Sequence, residues 1–127
     1  MLLDTSVLVA IDRGADPAKV ERLDQAGPHY ISAVTIAEFY AGVNLRSGPG
    51  EPAAEAFLAN ADELAVDSRV AKQAGRLIAG HLEADDGFDL NDIYIAATAQ
   101  AYDETVLTTD TADYTAYDID VTDWNTF

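Results

Sequence analysis

The sequence predicts an α/β fold in which a mostly parallel sheet is covered by helices on both faces. Two observations carry that expectation. Short apolar runs alternate with segments of helical periodicity along the whole chain, and strands alternating with helices build parallel sheets. The 127 residues suit one domain, 1–127, with no internal repeat, low-complexity tract or linker to divide it. At this size folding hides roughly two thirds of the unfolded chain's surface, so neither disulfides nor a structural metal is required for stability.

The elements follow in order. Leu2-Leu3 starts a strand that stops at Asp4, and Ser6 to Ile11 reads as a helix. Pro17 to Gln25 is a second helix, with proline suited to its first turn. Tyr30 to Ser32 is a strand, and Thr35 to Arg46 a helix with Ile36, Phe39, Tyr40 and Val43 at core spacing. Ser47-Gly48-Pro49-Gly50 reads as a turn. A helix from Glu51 to Asn60 precedes a strand at Leu64 to Val66. Asp67 or Ser68 caps a helix carrying Val70, Ala74, Leu77, Ile78 and Leu82. Asn91 opens a helix from Asp92 to Tyr102, followed by strands at Thr105 to Thr108 and Ile119 to Val121.

Composition narrows the chemistry. The chain has no cysteine, which excludes thiol catalysis and cysteine-based zinc sites and fits a cytoplasmic protein. No apolar stretch has membrane length, and the N-terminus lacks a signal pattern, so we expect a complete protein with no membrane association. The net charge is −16, the wrong sign for simple capture of phosphate backbones. In about 1 M salt, however, the Debye length falls to near 3 Å and such repulsion is screened. Lysine occurs only at Lys19 and Lys72, while acids are spread over the whole chain, a pattern that predicts a halophilic protein.

Position selects among the acids. Ligands of open α/β sheets bind beyond the carboxyl ends of the strands. Asp4 and Asp110 stand just past two such ends, while Glu38 and Asp92 stand near helix starts, which parallel topology brings to the same edge. Gathered carboxylates raise each other's pKa, and a divalent cation reverses that. An all-oxygen site suits Mg²⁺ or Mn²⁺, whose chemistry is hydrolysis of phosphodiesters by activated water. Each acid also has a plainer reading. Thr35-x-x-Glu38 matches a capping box, Asn91-Asp92 an ordinary helix start, and Asp110 a turn residue. Thr5, Ser6 and Thr108 carry hydroxyls that could bond these carboxylates or serve caps and turns, and for Thr108 the turn role is preferred.

Four segments resemble the motifs of PIN domains, and of VapC-type toxins in particular. They are Leu2-Leu3-Asp4-Thr5-Ser6, Thr35-Ile36-Ala37-Glu38-Phe39-Tyr40-Ala41-Gly42, Asn91-Asp92-Ile93-Tyr94-Ile95-Ala96-Ala97-Thr98-Ala99 and Thr108-Thr109-Asp110-Thr111-Ala112-Asp113-Tyr114. The resemblance covers nearly the whole chain. It implies a three-layer α/β/α sandwich, Mg²⁺- or Mn²⁺-dependent cleavage of RNA, homodimers, and inhibition by a VapB-type antitoxin. By matched position Asp4, Glu38, Asp92 and Asp110 would be the catalytic, metal-coordinating acids, with Asp113 an outer member of the set. Thr109 stands where many relatives carry arginine, which removes a phosphate contact. Arg13, Arg46, Lys72 and Arg76 are the candidate RNA contacts, whereas Trp124 and Phe127 read as a packing anchor and His29 and His81 have no pattern for metal or acid–base work.

Other readings compete. A receiver domain needs an acidic pair after the first strand, where Thr5 follows Asp4, and a late lysine that this chain lacks. A haloacid-dehalogenase-type phosphatase needs an acid at position 6, which is Ser6. A PIN nuclease of RNA processing or decay, and an inactive acidic interaction domain, remain as alternatives. Asp4→Asn and Asp92→Asn are both expected to leave the metal-free fold as stable or more so, by relieving repulsion.

Overall fold

The computed structural model describes residues 1–48 and 50–127, so Pro49 of the expected Ser47–Gly50 turn lies outside the described residues. Five strands, β1 (Leu2–Leu3), β2 (Tyr30–Ser32), β3 (Asp62–Leu64), β4 (Val106–Thr108) and β5 (Val121–Asp123), form one sheet in the order β3-β2-β1-β4-β5. Every pairing is parallel among the described residues. Among the described residues six helices flank it: α1 (Thr5–Asp12), α2 (Pro17–Gln25), α3 (Ala33–Leu45), α4 (Glu51–Leu58), α5 (Ser68–Ala84) and α6 (Leu90–Tyr102).

The three layers follow from alternation along the strands, because successive side chains of a strand face opposite ways. Leu3, Ile31 and Leu107 pack with α1 to α4 on one face, whereas Leu2 and Val106 pack with Ile95, Ala96 and Ala99 of α6 on the other. Leu2, Ile31, Val106 and Leu107 are all buried, as expected of central parallel strands covered on both sides. Ala96 and Ala99 let α6 lie close to the sheet, while Ala97 is enclosed against Val70 and Ala74 of α5. On the outer layers Phe39 of α3 stacks on Phe57 of α4 at 5.2 Å between ring centres. Trp124 is buried and stacks on Phe127 at 5.8 Å, and the Lys19 ammonium donates to the Trp124 carbonyl at 2.7 Å.

Several boundaries differ from the sequence reading, each for a local reason. The third helix begins at Ala33 because the Ser32 hydroxyl accepts the Val34 N–H at 3.1 Å. The sixth begins at Leu90 because the Asp89 carboxylate accepts the N–H groups of Asn91 and Asp92, at 2.8 and 3.1 Å. The strand expected at Leu64 to Val66 is Asp62–Leu64, an exposed edge strand set by the pairing of Tyr30 with Asp62. The last strand lies at Val121–Asp123 instead of Ile119 to Val121, where it pairs with Val106 to Thr108. Two 3₁₀ turns, Thr111–Tyr114 and Trp124–Thr126, were not expected.

Candidate active site

In the sheet order β3-β2-β1-β4-β5 the chain adds β2 and β3 on one side of β1 and then crosses to add β4 and β5 on the other, so the strand order reverses between β1 and β4, which remain parallel. Beyond the carboxyl ends of strands at such a switch point lies the binding crevice of open α/β sheets. A crevice of about 500 Å³ opens there, lined by Asp4, Thr5, Ser6, Arg13, Glu38 and Asp92 among others. Three acids far apart in the chain thus share one crevice.

Asp4 ends β1 and precedes α1, yet its carboxylate makes no cap bond to that helix. It is instead the acceptor for three hydroxyls. Ser6 Oγ and Thr108 Oγ1 donate to Oδ2 at 2.6 and 3.0 Å, and Tyr114 Oη donates to Oδ1 at 2.9 Å. With 7 % of its surface exposed, Asp4 is a buried carboxylate whose orientation is set from β4, α1 and the 3₁₀ turn together. Thr108 therefore bonds the acid as well as its own turn, where its hydroxyl accepts the Asp110 N–H at 3.1 Å, and the turn role preferred from sequence is incomplete.

Glu38 is not part of a capping box, because the cap of α3 is Ser32 and places Glu38 in the second turn. Its Oε1 accepts the Thr5 hydroxyl at 2.7 Å, tying α3 to the start of α1. Asp92, in the first turn of α6, is likewise not the cap. Its pKa is pushed up to about 7, first by burial and then by the negative charges of Asp89, Asp113, Asp4 and Glu38. Asp113 is also raised, by burial and then by Asp110, Asp4 and Asp89. These shifts mark a region where carboxylate charge is crowded and uncompensated.

Asp110 stands apart from this group. Its carboxylate accepts the Ala112 N–H at 3.1 Å, as the cap of the 3₁₀ turn, and it does not line the crevice. Asp113 is the acid of that turn that faces Asp92, across a neighbouring cavity. Among the described residues no three His, Asp or Glu side chains stand close enough together to cage an ion as they are. A hard dication that keeps several waters and takes one or two carboxylates directly has no need of such a cage. The donor set is all oxygen and strongly negative, so the crevice fits Mg²⁺ or Mn²⁺.

Tyr114 is the site residue that sequence reasoning missed as a functional group. Burial, then the Asp4 charge and hydrogen bond, raise its pKa, so it stays a protonated donor. Tyr114→Phe is expected to lower metal affinity or turnover by about 10–100-fold, the usual cost of losing a group that orients a ligand. Titrating Mn²⁺ into both forms checks this, and equal affinities would count against the orienting role.

Among the candidate RNA contacts, Arg13 lines the crevice. Arg46 pairs with Asp12 at 3.6 Å, and Arg76 donates to Gln73 at 2.9 Å. Thr109 presents its backbone N–H to Ser6 Oγ at 3.1 Å.

A PIN domain family model matches residues 1–119. The fold is similar to VapBC of Salmonella typhimurium bound to DNA, with a TM-score of 0.89, 21 % identity, and coverage of 97 % of this chain and 96 % of that one. FitAcB of Neisseria gonorrhoeae aligns with a TM-score of 0.82 at 27 % identity, over 99 % of both chains. VapBC-5 of Mycobacterium tuberculosis aligns at 0.70 and 26 % identity, over 96 % of each. No protein of curated function matches the sequence. With the family model spanning most of its length and the same fold in these relatives, the chain belongs to the PIN domain family, a family of nucleases.

Proposed function

We propose that this protein is an endoribonuclease that depends on Mg²⁺ or Mn²⁺ and serves as the toxin of a VapBC-type toxin–antitoxin pair. The observation that carries the reading is the shared crevice of Asp4, Glu38 and Asp92 at the sheet's switch point. The pairing with an antitoxin is supported by the solved relatives, which are toxin–antitoxin complexes in Haemophilus influenzae, Mycobacterium tuberculosis and Klebsiella pneumoniae.

Asp4, Glu38 and Asp92 would hold the ion, with Asp113 alongside. When bound, it would supply Lewis acidity towards a phosphodiester and ease deprotonation of the attacking water. The chain's own residues do the positioning. Ser6, Thr108 and Tyr114 aim Asp4, Thr5 aims Glu38, and Arg13 offers a guanidinium to an incoming phosphate. The −16 charge fits an enzyme working at high salt, where screening lets a polyanion approach. A homodimer fits the family resemblance. Among the described residues no helix is long and apolar enough to cross a membrane.

A labelled single-stranded RNA incubated at molar salt is expected to be cut with Mg²⁺ or Mn²⁺ and left whole with a chelator. Expression in a bacterial host is expected to arrest growth, and co-expression of a short reading frame adjoining the gene to suppress that toxicity. RNA that stays intact with either metal would overturn the nuclease reading, and toxicity unaffected by that neighbour would overturn the toxin role alone.

A further inference from the structure

Asp92 lines two spaces. One is the crevice it shares with Asp4 and Glu38, and the other is a cavity of about 440 Å³ bounded by His81, Phe88, Asp89, Asp113 and Tyr117. That volume lies in the range of about 300–1,000 Å³ found for small-molecule sites. Its walls are of two kinds. The first is aromatic: His81 lies 5.4 Å from Phe88 and 5.6 Å from Tyr117 between ring centres, and His81 Nε2 meets the Tyr117 hydroxyl at 3.0 Å. Phe88, in the α5–α6 loop next to the Asp89 cap, leaves 40 % of its surface exposed. The second is acidic: Asp89 spends Oδ1 on the α6 cap, and among the described residues the Asp113 carboxylate accepts no hydrogen bond.

We propose that this cavity is a nucleobase subsite, selective for guanine, which holds a base of the RNA strand whose phosphate lies in the crevice; it rests on the nuclease reading above. The lining repels a phosphate and rewards a flat, uncharged ring that brings N–H donors. Unstacked RNA bases are recognised in this way, by stacking on aromatic side chains and hydrogen bonding along the Watson–Crick edge. An ionised carboxylate only accepts. Among the four bases guanine has two adjacent N–H donors on that edge, N1–H and the 2-amino group, whereas uracil has one. The shared wall at Asp92 places the subsite next to the crevice, so the base held there would set where the strand is cut.

Side-chain NMR of the full chain at molar salt, without divalent metal, tests the site with uncharged nucleosides. Guanosine should shift the Phe88, His81 and Tyr117 signals, inosine, which lacks the 2-amino group, should bind several-fold more weakly, and uridine should be weaker still. Phe88→Ala should lower guanosine affinity by about ten-fold or more, and Phe88→Tyr should restore it. Because Phe88 is partly exposed, the alanine variant should keep the wild-type melting temperature. Equal shifts with uridine and guanosine, or shifts only with an N-acetyl-arginine amide, would overturn the proposal, the latter making the cavity a receptor for a partner's arginine. The two readings fail separately. A chain that binds guanosine but cuts no RNA loses the nuclease assignment, whereas one that cuts RNA without regard to guanine loses this subsite.

Discussion

Asp92→Asn is expected to abolish RNA cleavage while raising the melting temperature of the metal-free protein. Losing a group that merely orients a ligand costs about 10–100-fold, so losing an acid of the crevice should cost more than about a hundred-fold. The gain in stability has a separate origin. The Asp92 carboxylate is crowded by four other acids, and the neutral amide keeps its shape while removing the repulsion. Asp4→Asn should be equally inactive but less stable than wild type, contrary to what the sequence alone suggests. Asp4 accepts three hydroxyl donors, and an amide NH₂ turned towards any of them is left facing a donor inside a buried site. Thermal melts of the two variants beside cleavage assays separate these effects. If Asp92→Asn melts lower than wild type without metal, the crowded-charge account fails.

Mn²⁺ should stabilise the protein, and more so at neutral than at acid pH. The Asp92 pKa of about 7 lies above the ordinary value of 3.8, so the folded state holds that proton more tightly than the unfolded chain. For such a group, stability without metal falls as pH rises from about 4 to about 7. Asp113 is shifted in the same direction. A dication binds the ionised form, so it competes with protons and recovers at pH 7.5 what ionisation costs. At a metal concentration 100-fold above Kd the gain is about 2.7 kcal/mol, on the order of 10 °C in Tm for a domain of this size. Melting scans at pH 5.5 and 7.5 with and without Mn²⁺ read this directly. A shift of the same size at both pH values, or none at millimolar metal, would rule out an ion held by Asp92.

The fold was legible from the sequence because its signals are local. The spacing of apolar residues and the proline at the first turn mark α2 at its observed bounds, and Tyr30 to Ser32 needed only a short apolar run. The caps were harder. Thr35 and Asn91 look like good helix starts, but Ser32 and Asp89 stand earlier and take the free N–H groups first. That shift matters, because it frees Glu38 and Asp92 from capping roles. The family resemblance ranks Asp110 above Asp113, and only the turn geometry shows that the Asp110 carboxylate is the one occupied by a backbone N–H. Tyr114 was out of reach for another reason. Its contact with Asp4 spans 110 residues, and no periodicity encodes a hydrogen bond across the sheet.

That long reach has a consequence for synthesis. The first acid of the chain finds two of its three hydroxyl partners 104 and 110 residues downstream, and β1 gains its β4 neighbour only at Val106 to Thr108. Chains leave the ribosome N-terminus first, at about 5–20 residues per second. A nascent polypeptide therefore carries Asp4, Glu38 and Asp92 for seconds without the clamp that aims the first of them. If the protein is a poison for its own host, its crevice is not fully aimed until Tyr114 has been made, and an inhibitor that reads the finished crevice has nothing complete to bind before then.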